Sequence, residues 1–145
     1  IKININKLSS SFIAILEEKN LDYAVKAELL KLPSQQVVEA ALQLVDPLAV
    51  WSARRKLAKA IARHIWVPAQ AIITRFMTDL GKCDAGQRRL LNVLIHLLVL
   101  TREEKPYQQA LLMAGHKNMT ISMAGLGALN QSDAAERMLD WPASD

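Results

Sequence analysis

The spacing of apolar residues along the chain predicts helices for most of its length. Apolar side chains recur three or four residues apart in the segments 10–19, 34–45 and 47–65, which places them along one side of a helix. The run "LLNVLIHLLVL" (Leu90 to Leu100) is apolar on nearly every side, as expected for a helix buried in a core. The pattern therefore predicts an all-α fold.

Short polar residues ahead of these stretches predict where the helices begin. Asp46 followed by Pro47 is the clearest start, because aspartate accepts a hydrogen bond from the first turn and proline needs no amide donor there. With such caps the sequence predicts seven to nine helices joined by short links. The other expected caps, in chain order, are Ser9 or Ser10, Asp22, Ser34, Asp84, Thr120 and Ser132.

Prolines and glycines predict where the helices break or end. Pro68 should kink or break the helix that starts after Asp46, and the next segment, Ala69 to Leu80, ends at Gly81. Further helices are expected from about Gly86 to Leu100 and from Pro106 to Gly115. At the start of the chain, "IKININK" (Ile1 to Lys7) alternates isoleucine with polar residues, and this period by itself predicts a short strand.

Length and composition favour one helical domain over residues 1–145. The chain is 51% hydrophobic but only 5% aromatic, so its core must be packed mainly by aliphatic side chains. Capped helices with short links suit a compact bundle or a superhelix of antiparallel helix pairs. No fixed repeat period is visible, and we therefore predict an irregular α-α superhelix.

The net charge of +4 is modest, and much of it is local. Five cations lie within ten residues, and positions 55, 59 and 63 share one side of a helix. No aromatic or glycine-rich element for stacking bases accompanies them, so we favour a solvated helix face and expect no nucleic-acid partner. The five are Arg54, Arg55, Lys56, Lys59 and Arg63.

The single cysteine, Cys83, excludes an intrachain disulfide and suits a reducing compartment, so a cytoplasmic location is expected. No apolar run reaches the eighteen residues typical of a membrane span, and no membrane association is expected. The run Leu90 to Leu100, at eleven residues, is too short.

Candidate chemistry is sparse. The histidines, His64, His96 and His116, belong to no metal-binding motif, and Cys83 has no obvious activating partner. His96 should be a buried core or interface histidine, and the glycines of "GLG" (Gly125 to Gly127) should allow close helix packing. We therefore expect no catalytic residue, no metal ligand and no cofactor bound by this chain.

From about Phe12 to Asp140 the chain resembles the C-terminal helical domain of the bacterial alanyl aminopeptidases N, zinc enzymes of the M1 family. The chain first matches in "LDYAVKAELLKLPS" (Leu21 to Ser34). Three motifs then follow in the family's order: "VDPLAV" with Asp46 and Pro47, which leads to a helix with Arg54, then Arg-x-Leu-x-Asn, then Asn-Met-Thr. Ile121 departs from the family, which has an acidic residue after Asn-Met-Thr. The second and third motifs are formed by Arg88, Leu90 and Asn92, and by Asn118, Met119 and Thr120.

The resemblance implies a structural role for these positions as helix joints. Thr120 would cap the last helical region, Met119 would act as an apolar staple ahead of it, and Asn118 would occupy the turn. "IKININ" would be the end of a preceding helix, contrary to the strand that its period predicts.

The resemblance also implies a function for the whole polypeptide. The chain would be a fragment of the C-terminal domain of a larger aminopeptidase, closing a chamber that admits short peptides. The family's zinc motifs do not occur here, so the metal would belong to the parent enzyme's catalytic domain, which becomes the expected partner. Two alternatives stay open: a stand-alone helical-repeat scaffold that binds a protein, and a nucleic-acid-binding domain that uses Arg54 to Arg63.

Overall fold

The computed structural model describes residues 5–32 and 46–140, with the backbone alone at position 47 and positions 133–140. The described residues form α-helices and two short 3-10 turns, Leu80–Lys82 and Val99–Thr101, and no strand occurs among them. This confirms the predicted all-α fold. The helices are α1 (Ile5–Glu17), α2 (Tyr23–Leu29), α3 (Pro47–His64), α4 (Trp66–Met77), α5 (Ala85–Leu98), α6 (Glu104–Ala114) and α7 (Met119–Asp140).

Helix α1 begins earlier than its predicted caps. Ile5 is already helical, so the predicted strand is wrong for residues 5–7, while residues 1–4 lie outside the described part. Ser9 and Ser10 lie inside the helix, and Ser9 is buried on the same side as Phe12 and Leu16. The helical spacing of apolar residues therefore extends upstream of both serines, and neither is a cap. The predicted helix capped by Ser34 falls outside the described residues.

Helix α2 begins at the predicted cap, because the Asp22 carboxylate accepts a hydrogen bond from the Val25 amide at 2.8 Å. Its Lys26 side chain is buried, and the ammonium group donates to the carbonyl oxygen of Leu16 at 3.0 Å. That carbonyl belongs to the last turn of α1, which has no intrahelical donors for its final oxygens. Lys26 therefore ties the end of α1 to α2.

The Asp46 carboxylate accepts a hydrogen bond from the Leu48 amide at 3.0 Å, at the start of α3. The interruption predicted at Pro68 is confirmed, but the break falls at Ile65, between α3 and α4. Pro68 then lies in the first turn of α4, where an amide hydrogen would have no acceptor within that helix. The proline therefore begins a new helix rather than bending the old one.

Helix α5 is the centre of the domain. A capping box joins Asp84 and Gln87 at its start, and five of its aliphatic side chains are fully buried. It packs against α2, α3, α4, α6 and α7. The five buried residues are Leu90, Leu91, Leu94, Ile95 and Leu98.

Helices α6 and α7 form an antiparallel hairpin. The Ser122 hydroxyl donates to the Ala114 carbonyl oxygen at 2.8 Å, and further along α7 Gly125 lies beside Ala110. The predicted new helix at Ser132 is wrong, because α7 runs unbroken to Asp140 and Ser132 is buried within it. No described helix is long and apolar enough to cross a membrane.

Candidate functional site

A cleft of about 270 Å³ opens where α3, α5 and α7 meet the end of α2. Aliphatic side chains form part of its wall, including the half-buried Leu32 and Val93. We call it the cationic cleft, because three of its polar lining residues are basic and no acidic residue occurs among its described lining. The polar residues are Lys31, Arg54, Arg55, Asn92, His96 and Gln131.

Arg55 is held firmly at the edge of this cleft. Its guanidinium lies over the Trp51 ring, 4.8 Å from the ring centroid. It also donates a hydrogen bond to the backbone carbonyl oxygen of Gln131 at 3.3 Å. Burial lowers the pKa of Arg55, and the neighbouring charge of Arg54 lowers this pKa further. Both effects disfavour the cation without neutralising it, since the guanidinium stays protonated at neutral pH.

His96 forms another part of the cleft, and it is half-buried rather than among the most buried residues as predicted. Its Nδ1 lies 2.8 Å from the backbone carbonyl oxygen of Asn92, which can only accept, so Nδ1 carries the proton of the neutral ring. Burial lowers the pKa of His96, although the bond to Asn92 opposes this effect. Gln131 donates its amide hydrogen to the His96 carbonyl oxygen at 3.2 Å and so links α7 to α5.

The structure places the predicted joint residues at separate points of the fold. Asn92 lines the cationic cleft, together with Arg54 of the basic stretch on α3. Arg88 lies elsewhere, where its guanidinium donates to the Cys83 carbonyl oxygen at 2.6 Å. The sequence did not reveal that Lys31 and Gln131 line the same cleft as Arg55, because helices distant in the chain bring the three residues together.

The joint ahead of α7 differs from the prediction. The side-chain oxygen of Asn118 accepts a hydrogen bond from the Ile121 amide at 3.1 Å, so Asn118 is the cap. Thr120 lies in the first turn and is exposed, and the prediction that it caps the helix is wrong. Met119 is 75% exposed, which contradicts its predicted role as a buried staple. The helix begins one residue earlier than predicted, and asparagine is a better cap than threonine.

The remaining candidate residues show no activated chemistry. The Cys83 thiol is buried against the carbonyl oxygens of Phe76 and Asp79, and burial raises its pKa, which disfavours the reactive thiolate. His64 is exposed, with Nδ1 on the Ala60 carbonyl oxygen. Nδ1 of His116 accepts a hydrogen bond from the Asn118 amide. Across residues 5–32 and 46–140, no group of three or more potential ligands could hold a metal ion.

A second surface, which we call the hairpin face, consists of exposed apolar residues on α6 and α7. Met119, Met123 and Leu126 are spaced four and three residues apart along one side of α7. On α6, Tyr107 and Leu111 are four residues apart and also exposed. Ala110 faces Gly125 across the antiparallel pair, and Leu111 and Leu126 directly follow them, so both rows lie on the same side of the hairpin.

Comparison with known proteins gives one family. Residues 4–140 match the family described as "Domain of unknown function (DUF3458_C) ARM repeats". No curated protein matches the chain. ARM repeats are stacked helices that form superhelices, in agreement with the helices observed here. The match covers nearly the whole chain, and the protein therefore belongs to this family of ARM-repeat helical domains.

Proposed function

We propose that this chain is the C-terminal helical domain of a zinc-dependent M1 aminopeptidase, where it closes the chamber that holds short peptides. The observation that carries the proposal is the ordered set of matched stretches, found within a chain whose residues 4–140 belong to an ARM-repeat family. A helical-repeat domain offers an extended wall rather than a reaction centre, which suits a chamber.

The described residues do not fit a zinc site, because they contain no cluster of three potential ligands. Catalytic zinc needs three protein ligands and an open position for water or substrate. Under the proposal, the zinc and the general base come from the catalytic domain. The present chain would form part of the chamber wall, limit which peptides enter the chamber, and contact the catalytic domain.

The hairpin face supports such a contact. Two of its residues, Met119 and Met123, are 75% and 60% exposed, and an exposed apolar row of this kind marks a protein-binding surface. We propose that the catalytic domain packs against it. Methionine suits this role because its flexible side chain adapts to an irregular partner surface.

The decisive experiment uses the whole polypeptide that contains these residues. We expect it to release alanine from alanyl-p-nitroanilide, to contain one zinc ion per chain by metal analysis, and to lose activity with a chelator. Deleting residues 5–140 should abolish turnover of peptides. A polypeptide with no His-Glu-x-x-His motif and no chelator-sensitive activity would overturn the proposal.

A matched pair of variants tests the contact. Met123→Glu should lower the unfolding midpoint of the whole enzyme but leave that of this chain unchanged, because the side chain is exposed here. Val67→Glu is the control, since Val67 is 77% exposed on α4, outside the hairpin face. Equal effects of both variants on the whole enzyme would rule out this face as the contact.

The hairpin face also favours the second candidate function, a stand-alone scaffold that binds a protein partner. A scaffold would use the same exposed row without any catalytic domain. The metal analysis separates the two functions, because a scaffold polypeptide would contain neither zinc nor peptidase activity.

A further inference from the structure

We propose that Gln70 and Gln109 form an orientation lock, a buried pair of amides that fixes the rotation of α6 and thereby keeps the apolar residues of the hairpin face turned outward. This inference concerns how the chain presents that face, and it does not depend on which partner covers it.

The two glutamines bind each other inside the fold. Gln70 of α4 and Gln109 of α6 are only 5% and 8% exposed. The side-chain amide of each donates a hydrogen bond to the side-chain oxygen of the other, and both distances are 3.0 Å. A buried amide that loses its partner is strongly destabilised, so each glutamine requires the other at this place.

The side of α6 that faces the core is not the side that hydrophobicity would select. Four residues along one side of the helix are buried, namely Pro106, Gln109, Ala110 and Met113. Leu111 and Leu112 are exposed, although each is more apolar than the buried Gln109. Burial of apolar area therefore does not by itself explain the observed rotation.

An alternative rotation of α6 would bury more apolar surface. Tyr107 and Leu111 are four residues apart on one side of the helix, and Gln109 is two residues from each, on the other side. Turning α6 about its axis would place Tyr107 and Leu111 inside and Gln109 in water. Gln70 would then stay buried on α4 without a partner. The observed rotation is the one in which both amides keep their hydrogen bonds.

The packing around the pair leaves this choice to the hydrogen bonds. In the described part of the chain, α4 and α6 make few other contacts, so little apolar area is buried between them. Helix α6 packs mainly on α7, where Ala110 lies beside Gly125. Burial of apolar area has no preferred direction, whereas two hydrogen bonds need donors and acceptors in line. The amide pair therefore specifies which side of α6 faces the core.

Thiol labelling at position 111 tests the lock. Leu111→Cys places a thiol on the exposed side of α6, and the native Cys83 is buried, so a maleimide should react first with the new thiol. Gln70→Met is then added, because methionine keeps nearly the length and shape of glutamine but lacks the amide. We expect the reaction rate at position 111 to fall about tenfold, since an unpaired buried amide is destabilised enough to shift an equilibrium by about that factor.

Two matched variants separate the lock from a general loss of stability. Adding Gln109→Met to Gln70→Met removes the unpaired amide and favours burial of residue 109, so the rate at position 111 should return to its value with both glutamines present. Gln108→Met makes the same change one residue away, where the side chain is exposed, and should leave the rate unchanged. Circular dichroism checks that each variant is folded, and Gln70→Leu replaces Gln70→Met if the latter does not fold.

An unchanged rate at position 111 in Gln70→Met, even with a lower unfolding midpoint, would overturn the proposal, because the pair would then stabilise the fold without orienting α6. An equal fall with Gln108→Met, or no recovery in the double variant, would overturn it as well.

Discussion

Helices α5 and α7 pack against each other, yet they fill the core in opposite ways. Helix α5 contributes large aliphatic side chains, such as Leu94 and Ile95, which are fully buried. Helix α7 buries Ile121 near its start, but further along it places small residues, Gly125 and Ala128, at its contacts. The site of a β-carbon on Gly125 would lie 2.6 Å from the Ala110 carbonyl oxygen, so the backbones of α6 and α7 nearly touch there.

The difference shows that two kinds of packing stabilise this domain. Each large side chain on α5 stabilises the fold through buried apolar area, about 1.5–3 kcal/mol for a leucine. The contact between α6 and α7 depends instead on close approach, where many short-range contacts add up and a single extra carbon has no space. Enlarging a small side chain on α7 should therefore lower the free energy of unfolding more than the small size of the residue suggests.

Gly125→Ala should weaken the contact between α6 and α7. We expect it to lower stability more than Asn118→Ala or the protonation of His96, which are considered below. The new methyl group would meet backbone atoms of Ala110 and Ala114, which can move only if the two helices separate. We expect a net loss of about 1–3 kcal/mol in the free energy of unfolding, despite alanine's better helix propensity. Denaturant unfolding followed by circular dichroism measures it.

Gly127→Ala is the matched control. Its methyl group would meet the imidazole of His96, 3.0 Å from Nε2, rather than backbone. A side chain can shift by a few tenths of an ångström, so this variant should lose much less stability than Gly125→Ala. Equal losses would show that the close approach of α6 and α7 is not the cause.

Asn118→Ala sharpens the comparison at the start of α7. Removing the side-chain oxygen leaves the Ile121 amide without its partner, and we expect a loss of about 0.5–2 kcal/mol. Thr120→Ala is the control, because Thr120 is exposed and should change stability by less than about 0.5 kcal/mol. The reverse order in unfolding midpoints would restore Thr120 as the cap.

Acid should weaken the contact between α5 and α7 through His96, with the smallest effect of the three. Burial holds the pKa of His96 below its ordinary value of 6.5, so the folded state binds fewer protons than the unfolded state. Stability should therefore be full above about pH 6.5, fall as the pH drops below that value, and level off under the folded-state pKa. His96→Gln should flatten this part of the pH profile in urea unfolding, and an unchanged slope would contradict the assignment.

Several helix starts could be predicted because their chemistry is local. Asp22, Asp46 and Asp84 each accept a hydrogen bond from an amide two or three residues ahead. The same reasoning was wrong at the polar residues Ser9, Thr120 and Ser132. A serine or threonine is tolerated inside a helix when neighbouring turns already follow the apolar spacing, so its presence alone does not mark a boundary.

The sequence by itself determined the all-α class, the helix starts at Asp22, Asp46 and Asp84, and the burial of the leucines of α5, because these depend on spacing and on contacts within one turn. Only the tertiary structure decided where Gln131 meets Arg55, 76 positions away, and that His96 lines a cleft. It also decided that Leu111 and Leu126, both exposed, lie on the same side of the hairpin, because Ala110 packs against Gly125. Such pairings depend on how helices distant in sequence pack against each other, and no local pattern of residues specifies that packing.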